Sequence, residues 1–231
     1  MPRPANPTLR DDILQAALRL IEEKGAGALT MREVAGTLGY SATAIYQHFA
    51  SKEELLLALK LQAGDLLAAE MASAQQEPTV ETQLRDMGHR YVRFGLENPA
   101  YYRLIFQDSV AGVMPTQEQL ARMRRSWAIM RDTLAAWIQT HGLQGIDVDQ
   151  EANVLWAIGH GITSLALTGR LPFNDHQEIF ALFDVAASRW MSGVIHLQST
   201  ISRPGKQTPA RRKKSLINRH QPFVTKRRTA L

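Results

Sequence analysis

Three hydroxyl residues, Thr30, Ser41 and Ser51, each stand directly before a run of helix-forming residues, and their spacing leaves room only for short helices between them. A side-chain oxygen at such a position accepts from first-turn amides that have no partner inside the helix. Thr30 precedes Met31–Leu38 with Glu33 three residues on, and Ser51 precedes a leucine-rich run with Glu54 three residues on, so both read as capping boxes. Gly39 can take the positive φ of a sharp helix exit, and Ser41 then starts a helix reaching to about His48. Upstream, Leu9, Ile13, Ala16, Ala17, Leu20 and Ile21 recur at helical spacing as far as Lys24, with Gly25 as a stop. Downstream, Leu55, Leu56, Leu59, Ala63 and Leu66 carry the apolar face of a long fourth helix. Two short helices about a glycine turn, held between longer ones, can present the second of the pair to a DNA major groove.

After Pro78 the helical pattern continues over roughly Val80–Glu97, Pro99–Gln107, Thr116–Thr140, Asp149–Leu167 and Asp175–Leu197. Breakers separate these runs: Asn98–Pro99, Gly112 with Pro115, His141–Gly142 with Gly145, and Gly169 with Pro172. No stretch shows the alternation of a strand. The expected fold is therefore all-α, with about nine helices: an N-terminal three-helix unit followed by a larger helical region. The expected division is an arm at 1–8, a DNA-binding unit at 9–60, a regulatory region at 61–200 and a basic tail at 201–231. Pro, Gly and Gln with clustered bases replace apolar periodicity in that tail, which reads as disordered.

Net charge is a poor guide to partners here. The chain totals +5, but ten Lys and Arg fall after position 200 with no acid, so residues 1–200 carry −5. A nucleic-acid reading must rest on a local arrangement of side chains. The 231 residues contain no cysteine and no compact histidine cluster, which excludes disulfides and argues against a metal site or other cofactor. No apolar run is long enough to span a bilayer and the N-terminus has no continuous apolar core, so a cytoplasmic protein without a membrane partner is expected.

Within the short-helix unit, Val34, Ala35, Leu38, Ile45 and Phe49 are scaffold positions, while Thr30, Arg32, Ser41, Thr43, Tyr46, Gln47, His48 and Lys52 are left outside at one end. Leu29–Ala35, Leu38–Phe49 and Ser51–Leu55, above all the Tyr46-x-His48-Phe49-x-Ser51-Lys52 run, resemble the TetR family of DNA-binding regulators over about residues 9–60. The resemblance implies phosphate contacts from Tyr46, His48 and Lys52, with Thr30 and Ser41 adding hydroxyl or helix-terminus contacts. It leaves Arg32, Thr43 and Gln47 for base edges. Thr43 stands where the family more often has glycine and Ala44 where it has threonine, so Arg32, thymine-methyl contacts and DNA shape carry more of the expected specificity. A competing reading makes the polar residues a cover for the domain core.

Leu155–Leu165 (Leu-Trp-Ala-Ile-Gly-His-Gly-Ile-Thr-Ser-Leu) is unusually apolar and small-chained, and Gly159 and Gly161 suggest close backbone approach. With Asn98–Phe106 this stretch resembles the TetR C-terminal class named for Trp, His and Gly, over about residues 80–197. The resemblance implies a homodimer built by the last two long helices, to which Phe180, Phe183, Ala187, Trp190, Met191 and Val194 offer bulk, and hence a palindromic operator. A small-molecule effector, apolar or aromatic, would enter among Phe94, Tyr102, Phe106, Met123, Trp127, Met130, Trp156 and His160. His160 lies one turn from Ser164, but no acid, nucleophile elbow or oxyanion loop accompanies them; packing beside Trp156 accounts for the histidine and no enzyme is expected. The resulting expectation is a repressor that binds double-stranded DNA and is released by an effector. Two other readings stay open: an all-α enzyme using His160, and an architectural DNA binder driven by Arg211–Lys214 and Lys226–Arg228. Loss of residues after Ser202 separates the last from the regulator, which should keep its sequence choice.

Overall fold

The computed structural model describes residues 8–107, 114–173 and 175–201, and the side chains of these as far as 198. Nine α-helices and one short 3₁₀ turn make up the described residues, with no strand among them. Residues 1–7 of the N-terminal arm, Gly112 and the basic tail beyond Ile201 lie outside the described residues.

Helix α1 spans Leu9–Ala28, α2 Met31–Leu38, α3 Ala42–Tyr46 and α4 Lys52–Ser73. Gly25 has φ 81° and ψ 158°, so it breaks the helix as its sequence suggests, but the chain resumes one further turn to Ala28. Thr30, Ser41 and Ser51 cap α2, α3 and α4 through the amides of Glu33, Ala44 and Glu54. Neither glutamate closes a reciprocal box. Glu33 accepts instead from the Thr30 hydroxyl at 2.8 Å and from Lys24 at 2.6 Å, and Glu54 accepts from the Ala50 amide at 2.7 Å. Gly39 leaves α2 with φ 67°, and the amide of Tyr40 returns to the Ala35 carbonyl, the αL exit that turns the chain into α3. α3 stops at Tyr46, two residues before the expected end, although the amides of His48 and Phe49 still reach back to Ile45.

Helices α5 (Val80–Glu97), α6 (Pro99–Phe106), α7 (Gln117–Thr140), α8 (Val148–Leu167) and α9 (His176–Ile201) complete the bundle. Thr79 with Thr82 and Thr116 with Gln119 form full capping boxes for α5 and α7, and Asp147 caps α8. α4 packs most extensively against α7, and the expected face of α4 is corrected at one position: Leu66 is exposed and Leu67 is buried. Tight helix approach is corrected too. A Cβ on Gly159 would meet Tyr91 at an ordinary 3.5 Å, and one on Gly161 would meet nothing, whereas Cβ atoms on Gly88 and Gly95 of α5 would overlap Phe183 and Thr163. One continuous core joins Ile13, Leu29, Ile45 and Phe49 at the N-terminal end to Leu59, Tyr102 and Trp137 in the larger bundle.

Candidate nucleic-acid interface and ligand cavity

At the N-terminal end, α2 and α3 are held by Val34, Ala35, Ile45 and Phe49, all buried, with Leu38 partly so. Their burial turns the polar residues outward. Thr30 and Arg32 are exposed on α2 and its cap, Ser41 and Thr43 on α3 and its cap, and Tyr46, Gln47 and His48 at the α3 exit, with Tyr46 51% exposed despite its ring. An aromatic left in water at the end of a short helix gains little from the core, which suits a surface that a partner covers. Lys52 is half-buried, and its ammonium donates to the Gly27 carbonyl at 2.7 Å. That bond fixes the start of α4 against the end of α1 and leaves other N–H groups of the ammonium to point elsewhere. Arg10, not singled out in the sequence, lies over the Phe49 ring at 4.9 Å and ties α1 to the same unit. The eight residues expected at a DNA surface thus lie on α2, α3, their flanks and the start of α4, seven of them exposed and Lys52 half-buried.

A cavity of about 660 Å³ opens among α4 to α9, within the size range of sites for drug-sized ligands. α4 contributes Lys60, Gly64 and Met71; α5 contributes Leu84, Met87, Gly88 and Tyr91; α6 contributes Ile105 and Phe106. α7 supplies Leu120, Met123, Arg124, Ser126, Trp127 and Met130, and α8 and α9 close it with Asn153, Leu155, Trp156, Gly159 and Phe183. Phe106, Met123, Trp127, Met130 and Trp156 therefore stand on the wall. Phe94, Tyr102 and His160 do not: Phe94 and Tyr102 are buried in the core, and His160 is engaged behind the wall. Helix rotation decides this, since Tyr91 and Phe94 share α5 and only Tyr91 reaches the space.

A polar chain runs inward from the wall residues Trp156 and Tyr91. The Trp156 indole N–H donates to the Tyr91 hydroxyl at 3.3 Å, and that hydroxyl lies 3.2 Å from His160 Nδ1. The Tyr102 hydroxyl lies 2.8 Å from the same nitrogen and donates to the His160 carbonyl at 3.2 Å. Burial lowers the His160 pKa, favouring the neutral ring. Burial pushes the Tyr102 hydroxyl up to about 12 and the Tyr91 hydroxyl higher still. These groups stay neutral near pH 7, and the arrangement links α5, α6 and α8; among the described residues no contact joins His160 to Ser164.

On the outer face of α8 and α9, Val154, Leu165, Val185, Ile195 and Leu197 are exposed, while Ile179, Phe183, Ala187 and Val194 turn inward. The residues proposed for bulk on α9 thereby separate: Phe183, Ala187 and Val194 are internal, Phe180 packs partly against the smaller core, and Trp190 donates to Glu151 at 2.8 Å. No described helix is long and apolar enough to cross a membrane, and among the described residues no cluster of potential metal ligands occurs.

Residues 13–59 match the family model "Bacterial regulatory proteins, tetR family", and residues 84–188 match "Tetracyclin repressor-like, C-terminal domain". The transcriptional repressor AcnR of Corynebacterium diphtheriae is 30% identical over 149 residues, covering 57% of this chain and 75% of that protein. An uncharacterized helix-turn-helix regulator of Mycobacterium tuberculosis, Rv0681, is 24% identical over 178 residues, 77% of this chain and 78% of its own length. The chain spans only about half of some other relatives, among them 55% of the nucleoid occlusion factor SlmA of Marinobacter nauticus, at 27% identity over 46% of this chain. In three dimensions the chain is similar to the TetR-family regulator PfmR of Thermus thermophilus, with TM-score 0.59 and 23% identity over 75% of this chain and 95% of that one.

Proposed function

This chain belongs to the TetR family of DNA-binding transcriptional regulators, and from that membership we propose a homodimeric repressor that leaves a palindromic operator when a small apolar or aromatic effector fills the cavity. The observation that carries the reading is the continuity of α4. It begins at Lys52, against the DNA-facing unit, and runs unbroken past Lys60, Gly64 and Met71 on the cavity wall. A ligand that reshapes the wall therefore acts on the same rigid rod that positions the reading surface.

α6 supplies a second path. Its Ile105 and Phe106 face the cavity, while Tyr101 is buried close enough to α1 to feel the Glu22 charge. The head at 9–60 and the regulatory region at 61–200 are thus joined inside α4. Lys52, Tyr46 and His48 hold phosphates, and Arg32, Thr43 and Gln47 read bases. Two-fold pairing through the exposed apolar residues of α8 and α9 sets the distance between heads, and hence the spacing of half-sites. The assignment of the C-terminal half to the class named for Trp, His and Gly rests on Trp156, His160 and Gly161.

Because binding free energies are linked, an effector that weakens operator binding is itself bound more weakly by the operator complex, by the same factor, of about 5–150-fold. Calorimetric titration of an effector into free and operator-bound protein checks this. Equal affinities would overturn the coupling.

A further inference from the structure

The polar groups on the cavity wall differ in what already occupies them. Lys60 is engaged, and Arg124 is exposed, so water competes for its charge. The Tyr91 hydroxyl accepts from the Trp156 indole and lies within hydrogen-bond distance of His160. Ser126 and Asn153 are left. Both line the cavity, and neither side chain has a hydrogen-bond partner among the described residues.

Their positions bring these two groups together. The short connection after α7 returns α8 along it in the opposite sense, and Arg131 of α7 donates to Asp149 of α8 at 2.7 Å. Ser126 stands before Arg131 and Asn153 after Asp149, each about one turn from this bridge, so they lie at nearly the same height. Trp127 follows Ser126, and Trp156 is about one turn beyond Asn153, so two wall indoles flank the pair. The Phe106 ring, 6.0 Å from Trp156 and 5.8 Å from Tyr91, continues the aromatic wall onto α6 and α5.

This part of the wall is polar without being charged. No Asp or Glu lines the cavity among the described residues, so a cation would enter without a counter-charge. A carboxylate would give up its water for a pair with Arg124 that solvent screens. A pure hydrocarbon has the opposite defect, because it covers a hydroxyl and a carboxamide and offers them no partner. An uncharged oxygen meets both conditions: the Ser126 hydroxyl and the Asn153 amide N–H can donate to it, and the Asn153 carbonyl oxygen can accept from a hydroxyl.

We infer that the cavity takes an uncharged aromatic molecule bearing a hydroxyl or carbonyl oxygen, with its ring against Trp127, Trp156 and Phe106 and its oxygen between Ser126 and Asn153. This rests on reading the cavity as the effector site and adds the chemical class of the effector.

The test titrates the full chain at pH 7, by calorimetry, with 2-naphthol, naphthalene and 2-naphthoate, one ring system carrying a hydroxyl, no substituent and a carboxylate. Naphthol is expected to bind more tightly than either of the others by at least about threefold, and by about tenfold where both side chains pair with it. Asn153→Leu and Ser126→Ala should each cut the advantage over naphthalene without weakening naphthalene itself, and Ser126→Thr, which keeps the hydroxyl, should retain it; thermal melts of the variants verify the fold. Naphthalene or naphthoate bound as tightly as naphthol, or an advantage unchanged in both Asn153→Leu and Ser126→Ala, overturns the inference and leaves the cavity a ligand site. Failure of all three probes to bind overturns both.

Discussion

Tyr102→Phe removes one hydroxyl from the centre of the bundle and nothing else. That hydroxyl is fully buried, sits 2.8 Å from His160 Nδ1 and donates to the His160 carbonyl. Leaving a buried polar group less satisfied costs about 1–3 kcal/mol. The Tyr91 hydroxyl, 3.2 Å from the same nitrogen, keeps part of the ring satisfied, which places the loss in the lower part of that range, ~1–2 kcal/mol. For a chain of this size each kcal/mol moves Tm by about 2–4 °C, so a drop of about 2–8 °C is expected. Urea denaturation of Tyr102→Phe, His160→Asn and the double variant gives the pairwise term, expected at about 1 kcal/mol. Effects that add to within about 0.3 kcal/mol would show that the two side chains do not hold each other, and the polar link between α6 and α8 would be wrong.

Other substitutions probe separate parts of the account. The lowered His160 pKa means the unfolded chain takes up this proton first as pH falls; stability is complete above the unfolded value of about 6.5 and is lost as pH falls from there through the folded value, and His160→Gln should flatten this part of the profile measured by denaturant titration. Gly95→Ala drives a Cβ into Thr163 Cγ2 in the α5–α8 contact, and thermal melts should report a loss of about 1–3 kcal/mol. Lys52→Ala removes the bond to the Gly27 carbonyl and the proposed phosphate contact; DNA affinity should fall for all sequences, with the salt slope reduced by about 1 per contacting subunit in anisotropy titrations, and an unchanged slope would count against the contact.

Much of the architecture is legible in the sequence because local chemistry determines it. Thr30, Ser41 and Ser51 need only the amides three residues ahead, and Gly39 only its own backbone freedom, so the starts of the short helices and the turn between them fall as expected. Reach is where reading fails. The Glu33 carboxylate is drawn to Lys24 nine residues away, and Lys52 to Gly27 on another helix, contacts that no periodicity announces. The cavity shows the same limit: large apolar residues such as Trp127 and Phe106 stand out, but Tyr91 reaches the wall and Phe94 does not because packing against α8 and α9 sets the rotation of α5. Arg124 is invisible as a cavity residue among four arginines on α7, of which Arg122 and Arg131 have an acid within four positions and Arg124 and Arg125 have none.

Whether residues Thr30 to Lys52 form a sequence-reading surface is decided by equilibrium competition on duplexes recovered from a random library by the full chain. The account predicts an inverted repeat bound at least a thousandfold more tightly than bulk duplex at fixed salt, with Arg32→Ala, Thr43→Ala and Gln47→Ala each relaxing choice at particular positions. Equal affinity for the recovered duplexes and for bulk DNA, or variants that leave every base preference intact, would contradict it.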